Sequence, residues 1–259
     1  MAIVDYFLGF DFRATLFLFI PGFLKKGIEM SQLANFLTIL SLFCGFLSVL
    51  LSSAGQFTFS AYAIILSVVL DGFDGQVARK TQASSEFGKE LDSLVDVVSF
   101  GIAPVFLGYI FIYNEFYFLA VGALFIYLLC AVIRLARFNI TAETPYHNYF
   151  TGLPTTVSGG MLASFVLIYR REETQPVFIN VFFVWLVLLL AYLMVSRVGY
   201  LSLDGLKKML GNILKPVLLS FFIIFCLALY RDKVGITLFS IFLIYLIFSP
   251  FVVKRLNNV

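Results

Sequence analysis

Long runs of apolar residues recur along the whole chain and are separated by short polar segments. Each run approaches the roughly 20 residues that a helix needs to cross the hydrocarbon core of a membrane. Helix is the expected element, because an open strand would leave its backbone amide and carbonyl groups without partners in lipid. The pattern predicts eight membrane helices, at residues 34–53, 57–79, 87–113, 116–138, 152–169, 178–196, 213–230 and 235–252.

The segment before residue 33 has a different pattern. It mixes Phe and Leu with Arg13, Lys25 and Lys26, and Pro21 interrupts its middle. We expect it to lie in the membrane interface as an amphipathic segment. It lacks a basic stretch followed by a short apolar core, so a cleaved signal peptide is not expected.

The composition agrees with a membrane protein. Hydrophobic residues make up 61% of the 259 residues and charged residues only 13%, about half of the roughly 25% that is usual in soluble proteins. The predicted fold is therefore all-α, a polytopic transmembrane helical bundle. It forms a single integral membrane domain, with an interfacial segment at 1–33, a core at 34–215 and C-terminal membrane helices at 216–259.

Simple counts exclude several classes of function and site. The net charge of +3 is too small to indicate a nucleic-acid-binding protein. Cys44, Cys130 and Cys226 all fall within apolar stretches, so neither disulfides nor a zinc site is expected. His147 is the single histidine of the sequence, which excludes a histidine-rich metal site.

Lysine and arginine are distributed unevenly between the two sides of the predicted bundle. If both termini are cytoplasmic, 14 of the 18 Lys and Arg residues fall in cytoplasmic segments. The other four are Arg170, Arg171, Arg231 and Lys233. Because cytoplasmic loops carry an excess of these residues, we predict this orientation in the cytoplasmic membrane, with both termini in the cytosol.

Four aspartates lie in helices that are otherwise built for lipid: Asp71 and Asp74 in the second, Asp92 and Asp96 in the third. Spacings of three and four place each pair on one helical face, and the short polar link at 80–86 requires the two helices to run antiparallel side by side. A carboxylate in a membrane helix costs roughly 2.5–3.5 kcal/mol unless it is paired, metal-bound or hydrated. Oxygen ligands suit Mg²⁺ or Mn²⁺, so the acids predict a divalent-cation site at the cytosolic surface.

Two other interpretations of the aspartates are open at this point. The acids could cap helix ends at a hydrated interface, or they could be the ion sites of a secondary transporter. Transport sites usually lie near the middle of the membrane, whereas these acids cluster at one end of the bundle. The sequence also has no two related halves with broken helices. These observations favour an enzyme.

The residues around the aspartates form a longer pattern of fixed spacing. In order, it consists of Asp71, Asp74, Gly75, Ala78, Arg79, then eight residues, and Gly88, Asp92 and Asp96. This pattern resembles the signature of the CDP-alcohol phosphotransferase family at every fixed position, and the likeness extends over residues 33–215. The resemblance implies an enzyme that transfers a phosphatidyl or similar group from a CDP-linked donor to an alcohol and releases CMP.

The same resemblance implies roles for individual residues. Asp71, Asp74 and Asp92 would bind one Mg²⁺ or Mn²⁺ ion, and Asp71, Asp92 and Asp96 would bind a second. Asp96 would also be the general base that accepts the proton of the attacking hydroxyl. The CDP-linked donor would be held by Asn35, Thr38, Gly75, Ala78, Arg79 and Ser85. The resemblance also implies a homodimer.

Arg134, Arg137 and Asn139, at the end of the fourth predicted helix, bear on the acceptor. The two arginines are three residues apart on one helical face, and an arginine fork matches a carboxylate. The stretches around them, and those after Asp96 and Phe150, resemble bacterial and archaeal family members that use serine. Serine has both a hydroxyl and a carboxylate, so the resemblance predicts L-serine as the acceptor and CDP-diacylglycerol as the donor.

The acceptor has alternatives. The two arginines could anchor the helix at the cytoplasmic interface or bind lipid phosphate. Glycerol phosphate, inositol phosphate or choline could replace serine, and an archaeal ether-lipid donor could replace CDP-diacylglycerol. The chain also departs from the family pattern locally, with Ala34 and Thr156 where prolines are common and Ser41 where a second asparagine is common. These departures leave the four aspartates unchanged.

Overall fold

The computed structural model describes residues 30–81, 86–112, 117–141, 149–169, 176–202 and 233–257. Helices dominate this part of the chain, and we number its elements in chain order. They are α1 (Met30–Ser53), α2 (Phe57–Thr81), α3 (Glu86–Asp96), a π-helical segment (Val97–Ile102), α4 (Ala103–Phe111), α5 (Tyr117–Thr141), β1 (Tyr149–Thr151), α6 (Thr155–Tyr169), α7 (Val177–Val195), β2 (Gly199–Leu201) and α8 (Val234–Asn257). The helical bundle predicted from the hydrophobic pattern is confirmed.

Six of the described helical spans are long and apolar enough to cross a membrane, so the chain is an integral membrane protein. They are Leu33–Ser53, Phe57–Gln76, Glu86–Phe111, Phe118–Ile140, Val177–Val195 and Val234–Arg255. Their bounds agree with the corresponding predicted helices to within a few residues. The predicted helix at 213–230 and nearly all of the predicted interfacial segment lie outside the described residues.

The predicted helix at 152–169 is shorter in the structure than expected. Helix α6 begins at Thr155 and has 15 residues, fewer than the roughly 20 of a full membrane crossing. Eleven of its 15 residues are buried, and it packs against α2 and α8. A Cβ on Gly159 would lie only 3.2 Å from Phe100 Cα, so the glycine permits this close packing. Helix α6 is therefore a core element of the bundle.

The third predicted helix, at 87–113, is continuous but contains a π-helical segment. Helix α3 ends at Asp96, and the π-helical segment separates it from α4. Pro104 explains part of this irregularity, because proline has no N–H to donate to the carbonyl oxygen of Phe100 four residues earlier. That oxygen accepts instead from the Tyr127 hydroxyl on α5, over 3.0 Å. Such π-helical turns are frequent at functional sites, and this one begins directly after Asp96.

The Tyr127 hydroxyl should contribute measurably to stability. Tyr127→Phe keeps the ring but removes the donor to Phe100, and a buried polar group without a partner costs about 1–3 kcal/mol. The variant should therefore unfold at a lower temperature than the native protein in a thermal melt in detergent. Tyr192→Phe, on the exposed face of α7, is the matched control and should melt like the native protein. Equal melting of both variants would contradict this role.

The two short strands form an antiparallel pair that the hydrophobic pattern does not predict. Tyr149 pairs with Leu201, and Thr151 pairs with Gly199. Three residues are too few to show the alternation that is typical of a strand. Strand β1 comes just before α6 and β2 follows α7, so the pair fixes the position at which α6 begins.

Gly152 makes the turn from β1 into α6. Its φ is +83°, a conformation that glycine adopts without the steric cost of a side chain. A Cβ at this position would also overlap the Met194 carbonyl oxygen near the end of α7. The amides of Gly152 and Leu153 donate to the carbonyl oxygens of Val198 and Leu193, over 2.8 and 3.0 Å. These contacts tie the start of α6 to the end of α7.

Candidate active site

Serine hydroxyls join α1 to α2. The Oγ atoms of Ser41 and Ser67 lie 2.7 Å apart, and those of Ser52 and Ser60 also lie 2.7 Å apart. Small polar residues let membrane helices approach closely and form hydrogen bonds across their interface. This packing places Thr38 of α1 beside the aspartates of α2.

The structure brings the two aspartate pairs together, as the short connection between α2 and α3 predicts. Carboxylate oxygens of Asp71, Asp74 and Asp92 all lie within 4.8 Å of one another. Asp71 is also within electrostatic range of Asp96. Asp74 and Asp96 are buried, with 5% and 8% of their surfaces exposed. The four acids therefore form one cluster between α2 and α3.

This cluster could hold a divalent cation. Carboxylates this close repel one another, and burial strengthens the repulsion because less water screens it. A cation removes the repulsion, and Mg²⁺ and Mn²⁺ take carboxylate oxygens as ligands. The chemistry and spacing of Asp71, Asp74 and Asp92 fit such an ion.

Thr38 contacts the cluster from α1. Its hydroxyl lies 3.0 Å from Asp74 Oδ2 and 3.0 Å from the carbonyl oxygen of Ala34, and it can donate its proton to either. Asn35, one turn before Thr38, and Gly75, next to Asp74, are partly buried. These three predicted donor-binding residues thus lie on α1 and α2, at the same level as the acids.

The other predicted donor-binding residues are described less fully. Ala78 and Arg79 belong to the last turns of α2, where the structure describes the backbone but not the side chains. Ser85, between α2 and α3, lies outside the described residues. Their roles stay predictions.

Asp96 is held by a residue that the sequence analysis missed. The hydroxyl of Thr155, the first residue of α6, donates to Asp96 Oδ2 over 3.2 Å and accepts from Arg134 Nη1 over 3.2 Å. The other oxygen of Asp96, Oδ1, and Arg134 Nε are buried without a partner among the described residues. Thr155 follows Pro154 in a stretch that resembles the family, so the sequence offered one signal for a role of this residue. A threonine at a helix start is usually a cap, however.

Arg137, a predicted acceptor residue, binds main-chain oxygens. Its Nη1 donates to the carbonyl oxygen of Val195 over 3.0 Å, and its Nη2 donates to those of Thr151 and Met194 over 3.1 and 3.3 Å. These bonds satisfy carbonyl groups at the C-terminus of α7 and connect them to β1. Arg137 therefore organises the backbone that leads into α6.

Asn139, the third predicted acceptor residue, lies beside α3. Its Oδ1 accepts a hydrogen bond from Ser93 Oγ over 2.9 Å, and Ser93 is the neighbour of Asp92. The structure thus brings Arg134 close to Asp96 and Asn139 close to Asp92. Both residues lie at the same end of the bundle as the aspartate cluster.

Comparison with known proteins shows which sequences this chain resembles. A sequence profile of the CDP-alcohol phosphatidyltransferase family matches residues 31–195. A CDP-diacylglycerol–serine O-phosphatidyltransferase of Helicobacter pylori is 33% identical over 219 residues, which cover 82% of this chain and 87% of that protein.

Two archaeal proteins are similar as well. An archaetidylserine synthase of Methanothermobacter thermautotrophicus is 36% identical over 185 residues, covering 70% of this chain and 75% of that protein. A CDP-diacylglycerol–serine O-phosphatidyltransferase of Methanocaldococcus jannaschii is 36% identical over 173 residues, covering 66% and 75%.

Proposed function

The chain belongs to the CDP-alcohol phosphatidyltransferase family, and we propose that it transfers the phosphatidyl group of CDP-diacylglycerol to the hydroxyl of L-serine and releases CMP. Serine appears in the names of all three relatives. The observation that carries the proposal is the cluster of Asp71, Asp74 and Asp92 beside Asp96, in the spacing typical of this family. The protein is thus a transferase of phospholipid biosynthesis, and the transporter interpretation is set aside.

The aspartate cluster would receive the diphosphate of the donor. Divalent cations at the cluster, one held by Asp71, Asp74 and Asp92 and a second by Asp71, Asp92 and Asp96, would neutralise the phosphates and the charge that develops on the leaving CMP. Thr38 would fix the orientation of Asp74 through its hydroxyl. Residues that form hydrogen bonds to metal ligands commonly orient them in this way. Further donor contacts are proposed for Asn35, Gly75, Ala78, Arg79 and Ser85.

Asp96 would act as the general base. It accepts the proton of the serine hydroxyl while the serine oxygen attacks the β-phosphorus of the donor. The new bond joins that oxygen to the phosphorus, and the bond between the phosphorus and the bridging oxygen of CMP breaks. The proton on Asp96 then passes to water. The buried Oδ1 atom, which has no donor among the described residues, supports this role.

Arg134 is the residue that we propose for the serine carboxylate. It is buried and lies within electrostatic range of Asp96, so a carboxylate bound there would sit near the base. Its Nε has no acceptor among the described residues, and arginine donors form strong hydrogen bonds to carboxylates. Asn139, which also lies on α5, would help to bind the serine. For Arg137 the main-chain contacts favour an indirect role, in which it holds the backbone of the pocket.

We further propose that the site faces the cytosol at the cytoplasmic membrane. The distribution of lysine and arginine supports this orientation, with both termini cytoplasmic. The acyl chains of the donor would stay in the cytoplasmic leaflet while serine enters from water. The core at 34–215 would carry the chemistry, and the family resemblance supports a homodimer.

A panel of acceptors tests the proposal. Purified protein with Mn²⁺ and CDP-diacylglycerol should release CMP when L-serine is added, and not with glycerol phosphate, inositol phosphate or choline. A parallel series with an ether-linked isoprenoid donor distinguishes the two donor types that the relatives' names suggest. CMP release that depends on another acceptor would contradict serine as the substrate. No CMP with any acceptor would contradict the enzyme activity itself.

A further inference from the structure

Thr155 links two charged residues that come from different helices. Its side chain is 1% exposed. Its hydroxyl oxygen lies 3.2 Å from Arg134 Nη1 on α5 and 3.2 Å from Asp96 Oδ2 at the end of α3. Three helices therefore meet at one buried oxygen atom.

The chemistry of the three groups fixes the direction of both hydrogen bonds. A guanidinium can only donate, so the Thr155 oxygen must accept from Arg134. The hydroxyl has a single proton, and the ionised carboxylate of Asp96 can only accept it. The hydrogen bonds therefore run from Arg134 through Thr155 to Asp96, and bonds in such a chain strengthen one another by polarisation.

We infer that Thr155 is a positioning residue for the reaction proposed above, on which this inference rests. Its hydroxyl holds Asp96 Oδ2 in place and leaves Oδ1, which has no donor among the described residues, for the substrate or a cation. The positive charge of Arg134 also polarises this hydroxyl, which strengthens its hydrogen bond to the carboxylate of Asp96. The base and the serine-binding arginine are thereby kept in a fixed relation to each other.

The backbone around Thr155 is itself fixed, as a positioning role requires. Arg137 and Gly152 tie the approach to α6 to the end of α7, through the main-chain hydrogen bonds described above. The Ser158 hydroxyl donates to the carbonyl oxygen of Thr155 over 2.8 Å, one turn into the helix. The Thr155 side chain is thus held at Asp96 by contacts on both sides of it.

A purely structural role for Thr155 predicts a different result. If the residue only filled space, valine would replace it well, because the two side chains have nearly the same shape. If the hydroxyl is what matters, serine should replace threonine and valine should not. The contrast between these two substitutions separates the two roles.

The test compares Thr155→Val, Thr155→Ala, Thr155→Ser and the neighbouring control Thr156→Val. In the CMP-release assay, Thr155→Val and Thr155→Ala should lower kcat by roughly 10- to 100-fold, the usual effect of removing a residue that orients a metal ligand. At saturating Mn²⁺, the KM for CDP-diacylglycerol should not change. Thr155→Ser and Thr156→Val should behave like the native protein.

A second measurement requires no turnover. Electron paramagnetic resonance of free Mn²⁺ gives the Mn²⁺ affinity of each variant, which should fall by about tenfold in Thr155→Val and Thr155→Ala and be retained in Thr155→Ser. If the native protein binds Mn²⁺ but releases no CMP, the proposed function fails while this titration still tests the role of Thr155. Native Mn²⁺ affinity and native kcat in Thr155→Val would overturn the inference. So would a loss in Thr155→Ser as large as that in Thr155→Val.

Discussion

Asp96→Asn should lower kcat for serine-dependent CMP release by about 10²- to 10⁴-fold, the range that general-base catalysis contributes. Asparagine has the shape of aspartate, and its amide oxygen can still accept the hydrogen bond that Thr155 donates over 3.2 Å. The amide cannot take a proton from the serine hydroxyl, however. We therefore expect a folded protein that has lost the chemical step. The measurement is the rate of CMP release at saturating Mn²⁺, CDP-diacylglycerol and serine.

Two other variants separate the loss of the base from a defect that is confined to metal binding. Asp74 belongs to the group of three close carboxylates, so Asp74→Asn should raise the Mn²⁺ concentration needed for half-maximal rate. High Mn²⁺ should recover part of its activity and none of the activity of Asp96→Asn. Glu90→Gln, on the exposed side of α3, removes one charge and should keep the native rate. An Asp96→Asn protein as active as Glu90→Gln would contradict the role of Asp96.

Arg134→Gln should raise the KM for serine by roughly 10- to 100-fold, since a hydrogen bond to a charged group contributes about 1.5–3 kcal/mol. The KM for CDP-diacylglycerol should stay near its native value, because the donor is proposed to bind at the aspartates. A lower kcat should accompany the change, because Thr155 loses the donor that lies 3.2 Å from its hydroxyl. Initial rates over a matrix of both substrate concentrations give the three values.

Arg137→Gln is the matched comparison, one turn further along α5. It removes the guanidinium that donates to carbonyl oxygens of Val195 and Thr151. We expect a lower melting temperature in detergent and equal proportional losses with both substrates. A selective rise in the serine KM of Arg137→Gln, with no change in Arg134→Gln, would contradict the division of roles between the two arginines.

The hydrophobic pattern predicted most of the bundle because each membrane helix must satisfy its backbone within one apolar run. The π-helical segment after Asp96 was not predicted. It depends on Pro104 lacking an N–H and on Tyr127, from another helix, replacing the missing donor at Phe100. The hydrogen bond from Tyr127 comes from another helix, so the hydrophobic pattern of the third helix alone does not indicate it.

The candidate site was also predicted only in part. The four aspartates are close in sequence and their spacing places them on facing helices, so the cluster followed from the chain itself. Thr155 lies 59 positions from Asp96, and Arg137 lies 58 positions from Val195. Local spacing carries no information about such contacts. The sequence therefore indicated the acids and the arginines. The structure shows that the two arginines make different contacts and that Thr155 contacts Asp96.

The oxygen of the serine hydroxyl provides the most direct test of the central claim, that this hydroxyl attacks the lipid-bearing phosphorus and displaces CMP. Purified protein, Mn²⁺ and CDP-diacylglycerol are incubated with L-serine that carries a heavy oxygen isotope in its side chain, and both products are analysed by mass spectrometry. We predict a phosphatidylserine product that retains the heavy oxygen and CMP that contains none. A lipid product without the heavy oxygen, or a heavy oxygen in CMP, would contradict the proposed reaction.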